Sequence, residues 1–73
     1  MRHFELGDLV YLRRYNEQYS DWCIVDEHPY VVIETEDTVT VMGGRNGDII
    51  RMQSAMLATE DEARAFKLCR ETE

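Results

Sequence analysis

Apart from its carboxylates, the side chains of the 73-residue chain best suited to ligate a metal, or to pair as thiol nucleophile and imidazole base, are His3, Cys23, His28 and Cys69. Zinc needs such ligands clustered at short, regular spacing, and no C-x-x-C or H-x-x-x-H pair occurs. The acidic turns lack the alternating pattern of a calcium loop. Cys23 and His28 lie five residues apart, but no oxyanion donors or substrate pocket accompany them. Gly43-Gly44 lacks the lysine and following helix of a phosphate-binding loop. The expectation is a protein that is not an enzyme and needs no metal or cofactor.

Binding chemistry is better represented. Seven of the eight basic residues are Arg, which makes the bidentate, pre-organised contacts that Lys does not. Arg13 and Arg14 directly precede an aromatic-studded stretch, Tyr15 to Trp22. Tyr, Trp and Arg are the residue types that dominate protein interfaces. Arg13, Arg14, Tyr15, Tyr19 and Arg51 are the candidate partner-binding residues. The plainer alternative makes the arginines ordinary solvated surface and packs Trp22 in the core with the tyrosines at its edge.

The charge balance selects among partners. Fifteen acids face eight bases, giving a net charge of −7 and a pI near 4.7. Such a chain lacks the basic footprint that phosphate backbones demand. Nucleic acid is expected to be met only indirectly, and anionic membranes not at all. Proteins with basic surfaces are the expected targets. Two other binding modes compete. Glu34, Glu36, Asp37, Glu60, Asp61 and Glu62 could mimic DNA toward a DNA-binding protein. Tyr11, Trp22 and Tyr30 could form an aromatic cage for a peptide cation such as a methylated lysine.

A chain of this length is expected to form a single domain, residues 1–73, and to be a monomer. It buries only about 60% of its unfolded surface and leaves no room for a deep cleft. No apolar run approaches the roughly 20 residues of a membrane span. Residues 1–8 contain no apolar signal-peptide core. A reduced, cytoplasmic setting is therefore expected, with Cys23 and Cys69 free and partly buried.

The elements that must position these residues are mostly strands. Phe4 and Leu6 are placed to cap one end of a small core. Gly7-Asp8 is a turn signal, and residues 8–14 follow as a β-favouring run. Val10 and Leu12 point one way and Leu9 and Tyr11 the other, so both faces are apolar and something should pack outside. Residues 15–22 read as a long polar loop and 22–25 as a short strand. Pro29 interrupts, then residues 30–35 form the strand richest in β-branched residues. Glu36-Asp37 turns into the alternating strand 38–42. Asn46-Gly47 signals a two-residue type I′ hairpin, which would set Arg45 opposite Asp48 and Met42 opposite Arg51. Strand 48–53 returns, and residues 54–57 form a short helical turn. Thr59 and Glu62 make a capping box for a C-terminal helix over about 60–71. Its stripe of Ala65, Phe66, Leu68 and Cys69 should dock on the β core or on a partner.

The order of elements, with GDLVYLR at residues 7–13, PYVVIE at 29–34 and RMQSAMLAT at 51–59, resembles SH3-like barrels. KOW-type transcription-factor domains and the C-terminal domains of retroelement integrases open similarly. That resemblance covers about residues 6–58. It implies a mainly β fold with a C-terminal helix: a five-stranded SH3-like barrel or a strongly bent antiparallel sheet. Integrase tails are basic and this chain is acidic, so nucleic-acid binding does not carry over.

In size, acidity and lack of catalytic signature, the chain also resembles the small host-takeover regulators of lytic phages. Resemblance to those that bind bacterial RNA polymerase implies a non-enzymatic regulator in the host cytoplasm. Its partner would be the polymerase, near the N-terminus of the largest subunit. It would inhibit initiation and promote antitermination by steric action.

Overall fold

A computed structural model describes residues 3–69. Strands β1 (Leu9–Asn16), β2 (Asp21–Ile24), β3 (Tyr30–Glu34), β4 (Val39–Gly43) and β5 (Asp48–Met52) come first. A 3-10 turn (Ser54–Met56), β6 (Leu57–Thr59), helix α1 (Glu60–Arg64) and β7 (Lys67–Leu68) follow within the described residues. The strands form one sheet in the order β5-β4-β3-β1-β2-β7, with β6 also pairing β1. The mainly β architecture with a short C-terminal helix is thus as the sequence predicts. The sheet has seven strands rather than five and does not close. It is mixed, because β7 runs parallel to β2.

Alternation along β1 organises the core. Val10 and Leu12 are buried, together with Tyr30, Val32, Val39, Val41 and Leu57. Leu9, between the buried positions in parity, stays exposed, and Tyr11 is half-buried. β1 is long enough to serve three partners: its start pairs β3, its middle pairs β6 and its end pairs β2. Phe4 packs against the core as the sequence suggests, whereas Leu6 remains exposed.

Four local expectations are corrected by tertiary structure. The stretch 15–22 is not a long loop: β1 runs to Asn16 and β2 begins at Asp21, leaving a four-residue turn. Asn16 closes that turn by accepting the Gln18 N–H on its side chain at 2.9 Å and the Tyr19 N–H on its carbonyl at 3.2 Å.

The second correction is the hairpin register. Gly43 faces Asp48, Met42 faces Ile49 and Arg51 faces Thr40. The loop is therefore four residues, 44–47. Gly44 and Gly47 take left-handed φ of 73° and 68°, but Asn46 does not, so a type I′ turn centred on Asn46-Gly47 is not formed. Gly43 and Gly44 are set by a close approach instead. A Cβ on Gly43 would lie 2.6 Å from the Pro29 carbonyl oxygen, and one on Gly44 would strike the Tyr30 ring.

The third correction is the helix. The capping box forms as expected: the Thr59 hydroxyl accepts the Glu62 N–H, and the Glu62 carboxylate accepts the Thr59 N–H. The helix then ends at Arg64 instead of continuing to about 71. Residues 70 and 71 of the expected helix lie outside the described residues. Buried Ala63 docks α1 against β1 and β6. A helix this short gains little on its own, and the following residues find better partners in β2. The Cys69 N–H donates to the Ile24 carbonyl at 2.8 Å.

The fourth correction explains the third. Cys23 and Cys69 are not free thiols but a disulfide, with Cα atoms 5.1 Å apart. The bond fixes Cys69 beside β2 and draws Lys67–Leu68 into extended pairing there.

Tyr30 gives a pH test of this packing. Burial raises its phenol above the ordinary 10.0, and the nearby Asp26 and Asp48 carboxylates raise it further. The fold favours the neutral phenol. Its contribution to stability is complete below the ordinary value and is lost as pH rises through the raised one. An ultraviolet titration of the wild type minus Tyr30→Phe should show a phenol midpoint above 10.0. A midpoint at or below that value would mean that Tyr30 is not packed as described.

Candidate protein-binding site

The β1–β2 ribbon brings three side chains together. Tyr15 pairs directly with Trp22 across the strands, and Arg13 with Ile24. The Tyr15 and Trp22 rings meet edge to face, with centroids 5.4 Å apart at 77°. The Arg13 guanidinium carbon lies 4.0 Å from the Trp22 ring centroid, within cation–π range. Arg13 Nε also donates to the Ala55 carbonyl at 2.9 Å, tying the ribbon to the 3-10 turn. The result is a stacked ridge of Arg13, Trp22 and Tyr15.

Trp22 is half-buried and lies outside the core cluster. The plainer expectation of a core tryptophan therefore misses its position. Tyr15 and Tyr19 are exposed, Tyr19 on the turn at the ribbon's tip. Beside the ridge lies a concavity of about 630 Å³. Tyr19, Asp21 and Trp22 line one side, Lys67 and Leu68 the other, with the Cys23–Cys69 bridge between them.

The other candidate residues separate from this group. Arg14 sits opposite Cys23, so its Cβ leaves the other face of the ribbon from Arg13. Arg51 lies on β5 opposite Thr40, its guanidinium 4.0 Å from the Glu34 carboxylate. That pair is exposed on both sides and contributes little stability.

The aromatic cage of Tyr11, Trp22 and Tyr30 does not assemble. Tyr30 pairs with Val10 and belongs to the core, while Tyr11 has the opposite parity on β1. The physical reason is the two-residue period of the strand. The proposed mimic carboxylates fall on two elements, the end of β3 with its turn and the first turn of α1. Three of the six have partners within the chain: Glu34 with Thr40 and Arg51, Asp61 with Arg64, and Glu62 in the capping box. The disulfide leaves Cys23 no thiolate for nucleophilic chemistry. His28 pairs with Asp26, 3.2 Å from its carboxylate. That carboxyl is held below its ordinary range, first by the His28 backbone N–H and also by the Arg45 backbone N–H.

Sequence reasoning missed the stacking of Arg13 on Trp22 and the contribution of the chain after Phe66. The available signal for the first was spacing. Residues 16 and 21 flank a turn of four, which would have implied 15 and 22 as the next cross-strand pair.

Among the described residues, no helix is long and apolar enough to cross a membrane, and no group of three or more His, Cys, Asp or Glu could hold a metal ion. No protein-family model, curated protein or solved structure matches the chain.

Proposed function

We propose that this chain is a non-enzymatic regulator that docks on bacterial RNA polymerase near the N-terminus of the largest subunit. It would inhibit initiation and promote antitermination by occupying space rather than by chemistry. The observation that carries a protein-binding function is the Arg13–Trp22–Tyr15 ridge with Tyr19 at the ribbon's tip. It presents the residue types of interface hot spots on a rigid hairpin. The choice of polymerase comes from the likeness to small phage regulators. The net charge of −7 supports it, because an acidic domain is steered toward basic channels.

The test is binding of the labelled protein to purified core polymerase, followed by anisotropy. Tyr15→Ala with Tyr19→Ala should weaken binding about tenfold or more. Arg13 is the wrong residue to mutate first, because it also holds the hairpin to Ala55. Failure of the wild type to bind the polymerase would sink the partner. Wild-type affinity in the tyrosine double variant would sink the surface.

A further inference from the structure

The segment after α1 is held to the sheet differently from the other strands. β7 runs parallel to β2, with Lys67 beside Cys23 and Leu68 beside Ile24. Both of its side chains are exposed, so its docking buries little apolar surface. Among the described residues, β7 pairs no strand but β2. The few hydrogen bonds of so short a ladder gain less than ordering its backbone costs. The Cys23–Cys69 bridge supplies what the pairing lacks, by holding residues 67–69 at β2 covalently.

The core does not use that bridge. Its buried cluster is drawn from β1, β3, β4 and β6, and neither cysteine belongs to it. β2 is held independently, by its pairing with β1 from Arg13–Ile24 to Asn16–Asp21. The stability lost with the bridge acts through the unfolded chain, which gains freedom, and leaves the core contacts in place. The bridge is also reachable. Cys23 is buried, but Cys69 is half-buried, and both line the concavity beside Trp22.

We propose that the Cys23–Cys69 bridge is a thiol–disulfide switch: reduction by a dithiol frees residues 67–69 from β2 and opens the concavity beside Trp22, while the core stays folded. A thiolate of the reductant attacks the Cys69 sulfur, the S–S bond breaks, and Cys23 leaves as a thiolate and takes a proton. The reductant's second thiol then displaces the Cys69 sulfur, which takes the second proton. The protein gains two electrons and two protons, and the dithiol leaves as a disulfide. In the oxidised form Trp22 is one wall of a concavity whose other wall is Lys67 and Leu68. In the reduced form it stands on an open edge of the β1–β2 ribbon. Such a device suits a compartment rich in dithiols, where the disulfides that do occur are usually transient or redox-sensing. It does not depend on the polymerase assignment, since strand pairing, burial and the covalent link carry it.

The test is reduction of the full chain by dithiothreitol without denaturant, followed by amide spectra. Resonances of residues 22–25 and 67–69 should move, while those of the core residues Val10, Val32 and Val41 keep their folded positions. The Cys69 N–H, which donates to the Ile24 carbonyl, should exchange with solvent as fast as an unprotected amide. Glutathione disulfide, added once the reductant is removed, should restore the starting spectrum. Cys23→Ser with Cys69→Ser should match the reduced form and ignore dithiothreitol. The rate of reduction should stay flat in low urea, because local release exposes little new surface. If the reduced chain unfolds, trimethylamine N-oxide favours the folded sheet without remaking the bridge, and the same amides are read there. The proposal is overturned if residues 67–69 stay paired with β2 after reduction, or if the core resonances are lost with them even in the osmolyte. A reduction rate that climbs steeply with urea, or a spectrum that glutathione disulfide does not restore, would also overturn it.

Discussion

Reduction of the Cys23–Cys69 disulfide should lower the stability of the fold by about 4 kcal/mol. The bridge joins residues 46 apart, and chain-entropy loss on closing such a loop is of that order. A domain of this size has only about 4–11 kcal/mol in total. The loss therefore removes a large share, and the thermal midpoint should fall by about 20 °C or more. Local structure gives the same direction. β7 is two exposed residues long and pairs only β2, so the covalent link and the Cys69 N–H bond to Ile24 keep it in place. Urea unfolding with and without reductant, read by Trp22 fluorescence, measures the effect. Cys23→Ala with Cys69→Ala should reproduce the reduced wild type and no longer respond to reductant. A wild-type midpoint indifferent to reductant would mean that the two cysteines do not close the loop. Disulfides persist in oxidising surroundings and are rare in the cytosol. In the cytoplasmic setting proposed for a polymerase regulator, the reduced form is thus the one whose polymerase binding should be measured alongside the oxidised form.

Leu57→Ala should cost about 3 kcal/mol. Leu57 is fully buried and is among the largest such side chains, with Val10, Val32 and Val41. It sits on β6 opposite Leu12, where the three-residue strand returns to the middle of β1. Truncation removes the transfer energy of the lost carbons and leaves a void that a core of a few valines cannot refill. Ile49→Ala is the internal control. Ile49 is 65% exposed, and its truncation should change stability by no more than about 0.5 kcal/mol. Chemical denaturation of both variants checks the pair. A Leu57→Ala midpoint equal to that of Ile49→Ala would show that β6 does not seal the core.

Local patterns revealed most of the strands. Alternation put Val10 and Leu12 on one face of β1, the β-branched run marked β3, and Thr59 with Glu62 marked the start of α1. Each of these depends on neighbours within a few residues. The misplaced parts depend on distant ones. Asn46-Gly47 is a strong hairpin signal, but the register was decided by Gly43 and Gly44 fitting against Pro29 and Tyr30. Ala65, Phe66, Leu68 and Cys69 have helical spacing, yet pairing with β2 and the bridge to Cys23 outweighed a marginal helix. The candidate site divides in the same way. Arg13, Tyr15 and Tyr19 were legible by residue type. Their sorting from Arg14 and Arg51 was not, because it follows from strand parity and pairing.

By itself, the sequence determined a small acidic domain built mainly of strands, with apolar runs in β1 and β3, alternation in β4 and a capped helix start near the C-terminus. These follow from composition, period and nearest neighbours. Only the tertiary structure decided that Cys23 reaches Cys69, that Arg13 stacks on Trp22, and that Leu9, Val31, Met42 and Ile49 align as one exposed row. Each of these joins residues from separate segments of the chain. Their relation is fixed by register, and a shift of one residue would send every side chain of a strand to the other face.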